Sequence, residues 1–206
     1  MNIVEEIAGK AITIADNQQR VYDAGKTKEW NDFWDNHQYN GRADNYSNRF
    51  FNWTSKNYKP KYPIVVQQNG SSQNCFAYCY DITDTLVEIT FSKGSDVRYF
   101  FQRAGLKTVR KITCYNTANV QSLFVGCTAL ENVTFEAEDA EKGIGIGYGF
   151  DVSKATAITN DSLMSIINAL ETKTSGTHTM TFGATNLAKL TDAEKAIATQ
   201  KGWTLA

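Results

Sequence analysis

Four thiols and two imidazoles are the side chains best suited to metal ligation or nucleophilic attack: Cys75, Cys79, Cys114, Cys127, His37 and His178. Their spacing does not gather them. Cys75 and Cys79 are separated by three residues rather than the two of a zinc knuckle, and both histidines lie far off. Cys79 and Cys127 recur at equivalent positions of an internal repeat, and Cys114 stands where the sister segments carry Phe. The four are therefore read as small buried apolar residues. Neither histidine has a Ser, Cys or Asp partner placed by a recognisable motif, and there is no G-x-S-x-G elbow. His37 is read as a partner of nearby aromatics and His178 as an exposed turn residue. Residues 143–150, Gly-Ile-Gly-Ile-Gly-Tyr-Gly-Phe, lack the spacing and context of a phosphate-binding G-x-G-x-x-G. A strand or bend with close backbone approach is the natural reading. The expectation is a protein that is not an enzyme and has no catalytic residue, cofactor or metal.

Binding chemistry is better represented. Between Trp30 and Tyr62 the chain carries ten aromatics in an otherwise polar, Asn-rich stretch. Such a block can seal the end of a repeat stack, or its rings can stack on sugars. Packing is favoured, with Trp30, Trp34, Trp53 and Tyr58 as the candidates for glycan contact. Within it, residues 28–37 allow a short helix with Trp30, Phe33, Trp34 and His37 on one face.

What would position such groups is a repeat. Phe76-Ala-Tyr-Cys79, Phe101-Gln-Arg-Ala104 and Phe124-Val-Gly-Cys127 are followed by Leu86-Val-Glu-Ile89-Thr-Phe91, Val109-Arg-Lys-Ile112-Thr-Cys114 and Leu130-Glu-Asn-Val133-Thr-Phe135. The Phe markers recur at 25 and then 23 residues, the apolar positions of the second element at 23 and then 21. A period in the low twenties with one short β-type element per unit is the signature of a leucine-rich-repeat solenoid. Each second element is expected to pair in parallel with its neighbours, and each marker Phe to end a helical turn on the opposite wall. Ile64-Val-Val66 reads as a further short strand and Gly70-Ser-Ser as a turn.

The flanks differ. Over residues 2–24, Ile7, Ile14 and Val21 fall at heptad spacing, with Ile3, Lys10, Asn17 and Ala24 offset from them. This two-stripe seam, broken by polar residues, favours a short parallel bundle, a trimer above all, over a helix folded back on its own domain. Ile3, Ile7, Ile14, Asn17 and Val21 are the candidate oligomerisation residues. Downstream, Asp161 is expected to cap a helix over 162–171, with Leu163, Ile166, Ile167 and Leu170 inward. Met180-Thr-Phe182 resumes the strand pattern. Thr191-Asp-Ala-Glu194 reads as a capping box, Gly202 as a helix stop and Trp203-Thr-Leu205 as a closing strand.

A length of 206 residues suits one domain or a domain with an appendage, and an apolar fraction of 42% supports a real core. A net charge of −1 without a basic cluster argues against a nucleic-acid binder. The acidic run Glu136, Glu138, Asp139, Glu141 is read as a solvated loop. No run of about 18 apolar residues exists, so no membrane span is expected. The opening Met-Asn-Ile-Val-Glu-Glu-Ile has no basic, then apolar, secretory pattern. Unless a leader precedes it, the chain is expected to stay in a cytoplasm or leave by lysis.

The cadence Phe124-Val-Gly-Cys127-Thr-Ala-Leu130-Glu-Asn-Val133-Thr-Phe135 resembles the BspA-like leucine-rich repeats of bacterial and phage proteins. The segment from Val21-Tyr-Asp-Ala-Gly25 through Phe33-Trp-Asp35 is similar to the front of phage and prophage leucine-rich-repeat proteins of gut Firmicutes. The stretches beginning at Asp161, Leu187 and Gly202 are similar to their usual C-terminal end. The second unit departs from the pattern, with Ala104 for Cys and Cys114 for Phe. The resemblance implies a virion-associated protein of tail or fibre type, a possible host-recognition module, with no catalytic residues. The expected fold is α+β: a short leucine-rich-repeat solenoid of parallel strands plus helices, preceded by an N-terminal helix in a trimeric coiled coil. Residues 1–37 form the oligomerisation and attachment segment, 38–74 the aromatic cap and 75–206 the repeat domain with its C-terminal cap. Expected partners are two further copies, other virion proteins, and a host-surface protein or polysaccharide. The alternative is a secreted BspA-like adhesin at the bacterial surface, binding host or matrix protein or glycan.

Overall fold

The computed structural model describes residues 64–206 except 67, 70–71, 81–85 and 146–148. The helices expected over 2–24 and 28–37, the aromatic block with His37, and Gly70-Ser71 lie outside the described residues.

The described chain is α+β. Strands β1 (Ile64–Val66), β2 (Leu86–Phe91), β3 (Thr108–Cys114) and β4 (Asn132–Ala137) form one sheet in sequence order, every pairing parallel. Side chains alternate across such strands. In β3, Val109, Ile112 and Cys114 are buried while Arg110 is exposed. β2 and β3 pair as the motif predicts, Ile89 with Ile112 and Phe91 with Cys114. The next pairing differs. Ile112 pairs with Phe135 rather than Val133, and Cys114 with Ala137, after a bulge between Val109 and Ile112. A two-residue slip keeps every apolar side chain on the inner face, so the core tolerates it.

The opposite wall is made of turns. N–H groups of Ser72, Asn74, Phe76 and Tyr78 donate to the carbonyls of Asp96, Arg98, Phe100 and Gln102. Those of Val97, Tyr99, Phe101 and Arg103 donate to Asn119, Gln121, Leu123 and Val125, all eight at 2.7–3.1 Å. Alternate N–H groups, such as those of Phe100, Gln102 and Ala104, bond three residues back within their own unit. The expected helical turn is thus a run of β-turns, and the reason is backbone conformation. Two residues before and two after each marker Phe, φ is positive: 58° and 62° at Asn74 and Tyr78, 59° and 54° at Tyr99 and Arg103, 53° and 75° at Ser122 and Gly126. A left-handed residue at the third turn position cannot continue a right-handed helix.

Between the two walls the marker rings lie one above the next. Phe76 and Phe101 stack with centroids 5.7 Å apart, Phe101 and Phe124 with centroids 5.4 Å apart. Phe100, Phe135 and Phe150 meet this column edge-on or tilted, Phe91 meets Phe100 edge-on, and all belong to one contiguous core. Gly145 fits the expected close approach, because a Cβ there would overlap the Asn116 carbonyl.

Three helices follow β4. Helix α1 (Asn160–Ala169) is capped by Thr159, whose side chain accepts from the Ser162 N–H; Asp161 lies in its first turn instead of capping it. Leu163, Ile166, Ile167 and Leu170 are buried as expected. Strand β5 (His178–Met180) begins earlier than expected and pairs in parallel with β6 (Trp203–Leu205). The short α2 (Ala184–Leu187) and α3 (Asp192–Gln200) lie between them, α3 opening with the full Thr191–Glu194 capping box. Parallel bridges from Ile144 to Leu170 and Asp151 to Thr181 join this region to the stack. The Lys201 ammonium bonds the Ile167 and Leu170 carbonyls at 3.3 and 2.9 Å, closing the end of α1 where no basic residue of the helix itself is available.

Candidate functional site

Helix α1 ends the sheet by replacing a strand. The Val133 N–H donates to Ser162 Oγ at 2.9 Å and the Phe135 N–H to Ser165 Oγ at 3.1 Å. Residues three apart share a helix face, and alternate strand amides point the same way, so two serines can meet two successive edge donors. The Thr159 N–H adds a bond to the Glu131 carbonyl at 2.8 Å. The edge of β4 is thereby covered by hydroxyls rather than by a fifth strand.

That arrangement builds a corner. The outward face of β3 and β4 is the floor, with Arg110, Thr134 and Glu136 along it. The wall is the α1 face carrying Asp161, Ser165 and Asn168, at i, i+4 and i+7. Two depressions follow the seam: one of about 380 Å³ between Thr108–Arg110, Asn132–Thr134 and the start of α1, the other of about 410 Å³ between the end of β4 and Ser165, Asn168 and Ala169. Lys111 and Glu136 pair across the floor at 2.9 Å, and the bond holds the lysine proton more firmly than usual. Arg110 has no ion pair among the described residues. The corner thus offers hydroxyl donors and acceptors, an amide, carboxylates and a guanidinium. Such an inventory suits a polar ligand better than an apolar one.

The side chains best suited to metal ligation or thiol chemistry are not gathered into a site among the described residues. No group of three or more His, Cys, Asp and Glu side chains is placed to hold a metal ion. Cys75, Cys79, Cys114 and Cys127 are buried, as expected, and are not joined in disulfides. Burial pushes the thiols of Cys114 and Cys127 up to about 12, and it raises Cys75 well above its ordinary value, with Cys79 adding to the shift. A folded protein that keeps these thiols protonated binds more protons than the unfolded chain above their unfolded value of 9.0. Their contribution is complete below that pH and lost as pH rises from 9.0 towards 12. We expect the urea midpoint to fall between pH 7.5 and pH 10, less so in Cys114→Ala. An aromatic disulfide reagent should label the thiols only at the rate of unfolding. Rapid stoichiometric labelling of the folded protein at pH 7.5 would reject this assignment. His178 is a correction: it starts β5 and packs on Trp203, centroids 5.4 Å apart, rather than standing in an exposed turn.

The oligomerisation candidates Ile3, Ile7, Ile14, Asn17 and Val21 and the glycan candidates Trp30, Trp34, Trp53 and Tyr58 lie outside the described residues. None of the site residues singled out by sequence falls among the described residues. The corner residues escaped notice because polar side chains on strand and helix faces look like ordinary surface. One signal was available: Ser162 interrupts the apolar stripe of α1 and is nevertheless buried. No helix among the described residues is long and apolar enough to cross a membrane. No family model, curated protein or solved structure matches the sequence.

Proposed function

We propose that this chain is a non-catalytic binding module, a short leucine-rich-repeat solenoid carried on a bacteriophage particle as a tail, fibre or similar appendage. The observation that carries the solenoid reading is the in-register column of Phe76, Phe101 and Phe124, with a backbone ladder running alongside it. A stack held this way is rigid and presents the same outward face unit after unit. The corner between sheet and α1 is a recess among the described residues and serves as the ligand site. The virion reading rests on the resemblance of the two ends to phage and prophage repeat proteins. The N-terminal heptads support a trimeric stalk, which would raise avidity by letting three weak sites act together.

Two measurements test the reading. Immunogold labelling of induced particles should place the protein on the virion; a signal confined to the bacterial envelope would favour the adhesin. Thr134→Trp fills the recess from an exposed strand position and should weaken host-cell binding at least tenfold with an unchanged thermal midpoint. Undiminished binding would remove the corner from the mechanism.

A further inference from the structure

The stack sets the left-handed turns of this wall, but it does not dictate which residues fill them. Position +2 after the marker Phe is left-handed in all three units, and glycine, which adopts it without strain, occupies only the third, as Gly126. The first two place Tyr78 and Arg103 there, at φ 62° and 54°. A bulky residue at positive φ costs on the order of 1–2 kcal/mol, and such strain gathers where a side chain is needed in one place. These two side chains meet. The Arg103 guanidinium lies 5.7 Å from the Tyr78 ring centroid, and the Tyr80 ring meets Tyr78 edge-on at 6.2 Å. Gly126 provides the seat, since a Cβ there would stand 2.8 Å from Arg103 Cγ. Arg103 is exposed, and it has no ion pair among the described residues. Tyr80, at 61%, is the one large apolar side chain exposed among them.

We propose that Tyr80 and Arg103, positioned through Tyr78, form a second binding site that takes an anionic saccharide. The ring of Tyr80 offers a face to the C–H side of a sugar ring, and the guanidinium takes its carboxylate or phosphate. A folded protein partner fits less well, because one exposed ring cannot supply the apolar centre that such an interface needs. A single-stranded nucleic acid would stack on the same ring but requires several phosphate contacts, and Tyr78, Tyr80 and Arg103 supply one cation between them. The site stands on the wall away from the corner recess, and it depends on neither the virion assignment nor that recess.

The test uses the full chain with polygalacturonate for the carboxylate source, glycerol-phosphate teichoic acid for the phosphate source, and neutral dextran and oligo(dT) as controls. Binding to one or both anionic polymers is expected, weakened by salt, with little to either control. Arg103→Gly should cut that binding about tenfold or more, the scale of a lost charge-assisted hydrogen bond. It should also raise the thermal midpoint by about 2–4 °C, because the left-handed strain is relieved. Tyr80→Ala should lose binding without a change in midpoint. Opposite signs for stability and binding are what a purely structural arginine cannot give. The proposal falls if neither anionic polymer binds at millimolar repeat concentration, or if Arg103→Gly binds like the parent. Dextran or oligo(dT) binding as tight as the anionic polymers would equally overturn it.

Discussion

Phe101→Ala should destabilise the protein by about 3–5 kcal/mol, the range for truncating a fully buried aromatic residue. Phe101 is completely buried at the centre of the column. It stacks on Phe76 at 5.7 Å and on Phe124 at 5.4 Å, and its edge meets Phe100 at 4.7 Å. In a stack, stability is a sum of unit terms and nearest-neighbour interfaces, and this one ring belongs to two interfaces at once. The midpoint of thermal unfolding should fall by roughly 10 °C, given about 2–4 °C per kcal/mol for chains of this size. Phe101→Leu separates burial from stacking: it keeps most of the apolar volume and should lose only about 1–2 kcal/mol. A loss below about 1 kcal/mol for the alanine variant would mean that the column is not what couples the units.

The column was legible because the marker Phe is both large and periodic. Spacings of 25 and 23 residues reappear as the pairings that bring Phe76 over Phe101 and Phe101 over Phe124. The strand register was legible only modulo two. Val133 and Phe135 face inward whether β4 is placed as the motif suggests or two residues along, so hydrophobic pattern could not choose between them. The turn wall was misread as helical for a different reason. Tyr78, Tyr99, Arg103 and Ser122 adopt a conformation that sequence signals only through Gly or Asn, present here at Gly126 and Asn74. Side chains fixed by the stack overrode local propensity. The cap of α1 was displaced from Asp161 to Thr159 because Thr159 also reaches the sheet, its N–H meeting the Glu131 carbonyl and its hydroxyl the Asn132 side chain at 3.3 Å. A tertiary contact settled a choice that the helix alone left open.

The same junction carries the other large effect. Replacing Ser162 and Ser165 together by alanine removes the acceptors of the Val133 and Phe135 amides, and both of those residues are buried. A buried donor left without a partner costs about 1–3 kcal/mol, so the pair should lose roughly 2–5 kcal/mol. Alanine's better helix propensity offsets this by only a few tenths per site. Urea unfolding measures the loss. Light scattering reads a second consequence, since α1 loosened from β4 uncovers an edge whose outward amides can pair with another chain. The double variant should associate with increasing concentration where the parent's molecular mass stays constant, and each single variant should fall between. If the double variant is as stable as the parent, water or a small shift of α1 satisfies those amides, and the serines are not what ends the sheet. If it is destabilised without associating, the bulk of α1 suffices to guard the edge, and the hydroxyls act on stability alone. The predicted combination, lower stability with new association, requires that the two serines stand in for a missing fifth strand. The floor and wall of the recess then exist because the stack had to stop there.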